Sequence, residues 1–221
     1  MIVYQMEGEA KKKETRRALL DAAAEEFARH GPQGARVQAI VGLAGVNERM
    51  IYHHFGSKDG LYRAVLEEQW SGLMTAWRPT LEESATLDPR EGLWRSFTAF
   101  FRLLLANPRI MPLALHEAMS GWRSAPPATL SMLPSQLREL YERGQRGGVF
   151  RGDCDFELLY CTVLGALTAI GIFGPRFSDV RERLERDPEL AARLGEQTVS
   201  LVLDGVTAPG RGGRVDTGKT A

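Results

Sequence analysis

Two adjacent histidines, His53 and His54, lie in the stretch VNERMIYHHFGSKDGL, which spans residues 46–61. Imidazole nitrogens can bind a metal ion or donate hydrogen bonds to phosphate. Metal-binding histidine pairs on a helix are usually four residues apart, because that spacing places both rings on one face. Adjacent side chains diverge by about 100°, and no cysteine or carboxylate at supporting spacing accompanies this pair. The pattern favours phosphate contact by at least one histidine, and we predict no metal site.

The surrounding residues have the spacing of two short helices joined by a turn. Apolar residues recur at i, i+3, i+4 and i+7 in the first helix, which ends at Gly45. These residues are Val37, Ile40, Val41 and Ala44. Asn47 can cap the second helix, in which Ile51 and Phe55 form the inward face. Two such helices are typical of a helix-turn-helix, whose second helix enters the DNA major groove by its N-terminal end.

The outward face of the second helix is polar, and it contains hydrogen-bond donors that suit phosphate. Its residues are Glu48, Arg49, Met50, Tyr52, His53 and His54. Lys58 follows beside the start of the next helix, which Ser57 can cap. The free N–H groups at a helix N-terminus also attract anions. The second helix and the start of the next one are therefore predicted to contact DNA.

A longer segment, residues 16–67, closely resembles the DNA-binding region of tetracycline-repressor-like (TetR family) transcription regulators. The resemblance rests on LLDAAAEEFARHG, on the AGV turn, on IYHHFGSKDGL and on the spacing between them. Three later segments are more weakly similar to the helical C-terminal domain of that family. They are ANPRIMPLALHEA, GVFRGDCDFELLYCTVLGAL and VSLVLDG.

The resemblance implies that residues 36–44 brace a recognition helix, residues 47–55, in the major groove. It implies that six side chains contact DNA: Gln38, Arg49, Met50, Tyr52, His54 and Lys58. Three of these would hold phosphates, namely Tyr52, His54 and Lys58. Arg49 and Met50 would lie nearest the base edges, where arginine can bind guanine and methionine can contact a thymine methyl group. The predicted DNA-binding set also includes Asn47, Glu48 and His53.

Three residues depart from the family pattern. Ala35 and Arg36 stand where a serine or threonine usually caps the helix before the turn, and a lost cap costs about 1 kcal/mol. Glu48 stands where the family usually has a small, polar or basic residue. Its carboxylate is favoured by the helix dipole but repelled by phosphate. Glu48 is therefore expected to accept a hydrogen bond from a cytosine amino group, to pair only with Arg49, or to weaken DNA binding.

Charge and composition limit the possible functions. The 221-residue chain has no net charge, and 43% of its residues are hydrophobic. This balance argues against a nonspecific polyanion binder but allows a local basic patch. Such a patch is present in KKKETRR, residues 11–17, which is either an arm for phosphate or minor-groove contact or a solvated helix start. The two cysteines are too few for a disulfide framework, which favours a cytoplasmic location.

The chain is predicted to be all-α, with an N-terminal three-helix helix-turn-helix domain and a C-terminal helical ligand-binding and dimerisation bundle. The first helix is expected to begin at Thr15 and to stop at the glycine and proline of the HGP motif. The helix that Ser57 caps is expected to run towards Trp77 and to end before Pro79, and a later helix is expected over residues 126–148. The predicted domains are residues 1–60, residues 61–207 and a disordered tail, residues 208–221. The uncharged stretch 158–175 is at the lower limit of a membrane span, but its threonines and glycines favour a protein core or a subunit interface. We find no catalytic constellation, so an enzyme is the disfavoured alternative, and no cofactor is predicted.

The resemblance further implies a ligand cavity and a dimer. The residues expected to line the cavity are Trp94, Phe97, Phe101, His116, Trp122, Tyr141 and Phe173. Their composition favours an apolar or aromatic small-molecule effector. Helices near residues 158–174 and 190–205 would form a four-helix interface between two copies. A two-fold dimer would then place its recognition helices about 34–36 Å apart on a pseudo-palindrome.

The sequence thus predicts a homodimeric repressor that binds a double-stranded operator and is released by a small-molecule effector. An activator or an effector-independent DNA binder of the same fold is the alternative.

Overall fold

The structure is a computed structural model that describes residues 2–126, 128–173, 176–187 and 189–208. These residues form ten α-helices and a 3-10 helix at Leu130–Met132. The α-helices are α1 (Ile2–Gly34), α2 (Val37–Ala44), α3 (Arg49–Phe55), α4 (Lys58–Ser84), α5 (Pro89–Ala106), α6 (Ile110–Ser120), α7 (Ser135–Arg146), α8 (Phe156–Phe173), α9 (Ser178–Arg186) and α10 (Leu190–Val206). The described residues contain no β-strand, only an isolated bridge between Phe150 and Thr207. The predicted all-α class is confirmed.

The first helix is longer than the sequence predicts. It begins at Ile2 rather than at Thr15. The segment between these residues contains no proline, and its lysines, glutamates and alanine are good helix formers. The predicted stop at the HGP motif is correct in position. Gly31 has φ 67°, a left-handed conformation that interrupts the helix before one further turn.

The fourth helix also exceeds its predicted length, since it continues through Pro79 to Ser84. A proline inside a helix costs about 3 kcal/mol or more. Trp77 and Leu81 offset this cost, because both are buried and the Trp77 indole Nε1 donates a 2.8 Å hydrogen bond to the Ser96 carbonyl. Burial on both sides of the proline therefore keeps the helix continuous.

Two elements of the second half of the chain differ from the pattern. The helix predicted over residues 126–148 is confined to Ser135–Arg146, because Pro134 disfavours helical backbone at the residue before it, and Leu133 is extended. The helix at Ser178–Arg186 was not predicted, since its sequence SDVRERLER is highly charged and has few apolar residues.

The chain divides into two compact units. Unit 1 consists of residues 1–75 and 106–128, and unit 2 consists of residues 76–105 and 129–221. The predicted domain boundary after residue 60 lies inside α4, whose first part belongs to unit 1. Of the predicted tail, only Ala208 falls within the described residues.

The core of unit 1 is built from α1 to α4 and from α6. Its fully buried side chains include Phe27, Ile40, Ile51, Leu61 and Leu66. Leu113 of α6 belongs to the same cluster, and Arg109, just before α6, pairs with Glu25 of α1 at 3.1 Å. Helix α6 is therefore part of the unit that holds the helix-turn-helix.

A buried carboxylate fixes the turn after α6. The Glu117 side chain is 1% exposed, and one of its oxygens accepts the backbone N–H groups of Ser124 and Ala125 at 3.0 and 2.9 Å. Tyr62 of α4 lies beside it. The pKa of the Tyr62 hydroxyl is raised, mainly by burial and to a smaller extent by the Glu117 carboxylate. These contacts tie α4, α6 and the following turn together.

Unit 2 has an aromatic interior. Tyr160 lies with its ring centroid 6.0 Å from Phe97 and 5.9 Å from Phe156, and Tyr141 stacks on Phe150 at 5.2 Å. Burial raises the pKa of Tyr160 to about 12, as expected of a hydroxyl removed from water. Within the described part of the chain, one helix, Phe156–Phe173, is long and apolar enough by length and composition to span a membrane, and 29% of it is buried.

One glycine sets the close approach of α3 to α4. A Cβ atom at Gly60 would lie 2.0 Å from the Phe55 carbonyl oxygen, closer than any real contact. Gly72, in the same helix, has open space around the equivalent position.

Replacing Gly60 with alanine is therefore expected to destabilise unit 1 by about 2–4 kcal/mol, because backbone atoms would have to shift. Gly72→Ala is the matched control, and it should stabilise α4 by about 0.5–1 kcal/mol. Urea unfolding followed by circular dichroism measures both changes. Equal stability of the two variants would contradict the proposed close contact.

Candidate nucleic-acid interface

The recognition helix α3 is fixed at its start and along its inner face. The Asn47 side-chain oxygen accepts the Arg49 backbone N–H at 2.9 Å, so the predicted cap is confirmed. Ile51 is completely buried, and Val46 and Phe55 pack against the same core. The opposite side of α3 is consequently held outward.

The N-terminus of α2 is capped by a side chain of α1 rather than by a residue of its own. Arg36 provides no side-chain cap, but the Glu26 carboxylate accepts the Arg36 backbone N–H at 3.0 Å. Glu26 is 8% exposed, and its negative charge is also favoured by the dipole at the start of α2. Sequence inspection missed this role, because Glu26 lies ten residues before the amide that it accepts.

The nine residues predicted to bind DNA are brought together around α3. Five are exposed, namely Gln38, Asn47, Arg49, Tyr52 and His53, and four are partly buried, namely Glu48, Met50, His54 and Lys58. Tyr52 is 53% exposed, which is high for an aromatic side chain. This arrangement gives a compact polar surface, but whether each residue contacts DNA remains a prediction.

Glu48 is hydrogen bonded within this surface. Its Oε2 accepts the Gln38 Nε2 at 2.6 Å, and its Oε1 accepts the Tyr52 hydroxyl at 3.2 Å. The carboxylate thus links α2 to α3. The alternative suggested by the sequence, a pair with Arg49, is not among the contacts of the described residues.

His54 differs in environment from His53. Its Nε2 is buried and has no hydrogen-bond partner among the described residues, whereas the His53 side chain is exposed. Burial first, then the charges of His53, Lys12 and Arg16, lower the pKa of His54. These effects favour the neutral form of His54 in the free protein.

His53, Lys12 and Arg16 are the charged or titratable groups whose electrostatic effects reach His54. We define these four residues, Lys12, Arg16, His53 and His54, as the basic edge. The Arg16 guanidinium lies over the Phe55 ring, 5.4 Å from its centroid. The segment KKKETRR is helical, so its positive charges are carried on the rigid face of α1 rather than on an extended arm. Lys12 and Arg16 could be anticipated as part of this basic segment, but not as neighbours of α3.

The start of α4 supplies a second anion-attracting feature. The Ser57 hydroxyl oxygen accepts the Gly60 backbone N–H at 2.9 Å, which confirms the predicted cap. Lys58, the first residue of α4, is partly buried beside it.

The two histidine rings are poorly arranged for a shared metal ion. Their centroids are 5.0 Å apart, and their planes are inclined by 72°. Over the described ranges of the chain, no group of three or more histidine, cysteine or acidic side chains could hold a metal.

The residues predicted to line a ligand cavity are distributed over both units. Phe97, Phe101 and Tyr141 are buried in unit 2, while Phe173 is 63% exposed there. Trp94 donates its indole N–H to the Ser200 hydroxyl at 3.1 Å and lines an open groove of about 640 Å³ between α5 and α10. Their role in ligand binding stays a prediction.

The other two predicted cavity residues lie in unit 1. His116 of α6 packs against Gly31, where an added Cβ would meet the His116 Nδ1 at 2.9 Å. Trp122 follows α6 with φ 58° and is 52% exposed.

Family models match both halves of the chain. Residues 19–65 match the model for bacterial regulatory proteins of the tetR family. Residues 89–202 match the model for the C-terminal domain of tetracycline-repressor-like proteins.

Two similar repressors cover most of the chain, and a similar activator covers less than half of it. The HTH-type transcriptional repressor NicS of Pseudomonas putida is 31% identical over 144 residues, which cover 63% of this chain and 67% of NicS. The HTH-type transcriptional repressor KstR2 of Rhodococcus jostii is 28% identical over 199 residues, or 88% and 92% of the two chains. The HTH-type transcriptional activator FasR of Mycolicibacterium smegmatis is 39% identical over 88 residues, or 40% and 39%.

Solved structures share the fold. The TetR family regulator PfmR of Thermus thermophilus superposes with a TM-score of 0.61 at 26% identity, over 84% of this chain and 97% of PfmR. The ketosteroid transcriptional regulator KstR2 of Mycobacterium tuberculosis gives 0.60 at 24% identity, over 88% and 95%. The capped recognition helix, the basic edge beside it and these matches lead to one conclusion: the chain is a DNA-binding transcriptional regulator of the TetR family.

Proposed function

We propose that this regulator is a homodimeric repressor, which binds a pseudo-palindromic operator in the cytoplasm and is released by a small-molecule effector. The observation that carries the proposal is the outward polar face of α3, backed by the wholly buried Ile51 and flanked by Lys12 and Arg16. The similar proteins NicS and KstR2 are both called repressors, which favours repression over activation.

The proposed DNA contacts divide between bases and phosphates. Arg49 and Met50, at the start of α3, would approach base edges in the major groove. The basic edge and Lys58 would approach phosphates on either side. A nearby phosphate would favour protonation of His54, whose neutral form is favoured in the free protein, so DNA binding would be coupled to proton uptake.

Two copies would associate through α8 and α10. One face of α8 exposes Leu158, Cys161, Gly165 and Ile172, and α10 exposes Leu201 at 73%. An apolar face of this extent on two adjacent helices is typical of a surface that another chain covers. A two-fold interface would give each half-site of DNA one recognition helix.

The effector would be apolar or aromatic and would bind in unit 2. The support is the aromatic interior around Phe97, Tyr141 and Tyr160, which offers apolar contacts and few charges. The KstR2 of Mycobacterium tuberculosis, called a ketosteroid transcriptional regulator, agrees with an apolar ligand class.

Release would follow from a two-state equilibrium. Helix α4 begins in unit 1 and ends in unit 2, so a ligand that prefers one state of unit 2 could alter α4 and thereby the spacing of the recognition helices. The effector can shift this equilibrium only by its difference in affinity for the two states.

An activator is the second candidate, and FasR, called an activator, is the similar protein that favours it. Transcription from a promoter that carries the operator distinguishes the two, because a repressor lowers the transcript level and an activator raises it.

Selection of bound duplexes from a random pool tests the proposal as a whole. We expect enrichment of one pseudo-palindrome with half-site centres about 34–36 Å apart, one turn of DNA. Challenge of the selected complex with a set of apolar and aromatic compounds should identify a molecule that releases it. Recovery of random sequences with no enriched site would refute a specific regulator.

The basic edge should control the electrostatic part of the affinity. Replacing Lys12 with glutamine is expected to weaken binding to all duplexes similarly and to reduce the slope of log K against log salt by about 1. Arg29→Gln is the matched control, because Arg29 is already paired with Glu25 at 2.7 Å. A change of preferred sequence in Lys12→Gln would instead assign Lys12 to base contact.

The apolar face of α8 and α10 should control association. A buried charge at Leu201 would cost several kcal/mol in an interface, so Leu201→Glu is expected to convert the dimer to a monomer. Leu130→Glu is the control, since Leu130 is exposed in unit 2 outside both helices. Sedimentation velocity measures the mass of each variant, and a dimeric Leu201→Glu protein would exclude this interface.

A further inference from the structure

We propose that Glu48 recognises a base, and that Gln38 and Tyr52 are the positioning residues that hold its carboxylate for the amino group of a cytosine. The inference rests on the proposed major-groove position of α3, and it deepens that function by assigning one base pair of the operator half-site.

The geometry of the carboxylate is the first support. Gln38 Nε2 donates to one oxygen at 2.6 Å, and the Tyr52 hydroxyl donates to the other at 3.2 Å. The two donors come from different helices, α2 and α3. Because each oxygen is held from a separate direction, the Glu48 side chain has one preferred conformation rather than a solvated ensemble.

The second support is energetic. A lone carboxylate would resist entering the major groove, since it would lose water and face phosphate repulsion. Here two neutral donors replace part of its hydration before DNA arrives. Asn47 caps the start of the helix, so Glu48 is not needed as the cap of α3. The Glu48 carboxylate is therefore stabilised at this surface although α3 does not need it as a cap, which is consistent with a role in DNA recognition.

The hydrogen-bonding capacity that remains selects the base. Each carboxylate oxygen can accept two hydrogen bonds and uses one. In the major groove guanine presents acceptors and thymine presents an acceptor and a methyl group, all of which a carboxylate disfavours. Adenine presents its amino group beside the N7 acceptor, whereas cytosine presents the amino group alone. Cytosine is therefore the best partner for Glu48.

The same bonds give Tyr52 a role that differs from the one implied by resemblance. A tyrosine hydroxyl has a single proton, and this proton is directed to Glu48. While that bond stands, Tyr52 has no proton to donate to a phosphate. Tyr52 thus acts through Glu48 and affects sequence preference.

The test is a comparison of operator preference among full-length variants. Duplexes selected from a random pool by the unaltered protein are sequenced, and Kd values are then measured for the best site and for each single base-pair replacement. We expect one position of each half-site at which cytosine is preferred about tenfold.

Three substitutions should change that position and leave the others unaltered. Glu48→Gln should shift the preference from cytosine to adenine, because an amide side chain can pair with both N6 and N7. Tyr52→Phe and Gln38→Met each remove one donor to Glu48, and both should reduce the cytosine preference to about threefold or less. Glu67→Gln is the control, since it removes an exposed negative charge of α4 that lies outside this hydrogen-bonded group.

Uniform effects would overturn the inference. If Glu48→Gln binds all duplexes more tightly with the same preference, the carboxylate only repels DNA. If Tyr52→Phe weakens all duplexes equally, Tyr52 contacts phosphate. Circular dichroism of each variant verifies folding, which these surface substitutions should preserve. Absence of any enriched palindrome for the unaltered protein would refute the proposed function itself, a result distinct from either of these.

Discussion

A helix of seven residues is not stable by itself in water, so the whole interface depends on the contacts between α3 and the rest of unit 1. Isolated helices shorter than about 12–15 residues are marginal even with favourable sequences. The complete burial of Ile51 supplies the anchor, with Val46 before it and Phe55 after it packed on the same core. The Phe55 carbonyl then meets Gly60 of α4 so closely that no side chain fits between them. The outward direction of Arg49 and Tyr52 is thus a consequence of apolar packing on the opposite side.

Local signals predicted the helix-turn-helix well, because caps and apolar spacing act over a few residues. Asn47 and Ser57 cap the helices that they were predicted to cap, and Gly45 and Gly31 end or interrupt helices as expected. What the sequence could not reveal depends on contacts between distant segments. Helix α6 belongs to unit 1 through Leu113 and Arg109, and Glu26 supports α2 from across a turn. The bonds from Gln38 and Tyr52 to Glu48 likewise require the angle between α2 and α3, which no spacing rule specifies.

The distribution of charge explains how a chain with no net charge can approach a polyanion. Several acidic groups near the interface are engaged by donors or cations, as Glu25 is by Arg109 and Glu26 is by the Arg36 amide. Glu48 is held by two neutral donors. Lys12 and Arg16 lie close enough to His54 for their charges to lower its pKa, and Arg16 also lies near the Glu68 carboxylate. The local field at α3 is therefore set by which charges are compensated, and the overall count of 28 basic and 28 acidic residues says little about it.

Pro79 removes one backbone hydrogen bond from α4, although the helix is continuous. Proline has no N–H, so the carbonyl four residues earlier, that of Thr75, loses its usual helical donor. Thr75 is also the residue at which the first segment of unit 1 ends. The helix that joins the two units is thus one hydrogen bond short at the point where it passes from one to the other. The turn that contains Pro79 therefore has one hydrogen bond fewer to resist bending than an uninterrupted turn of α4.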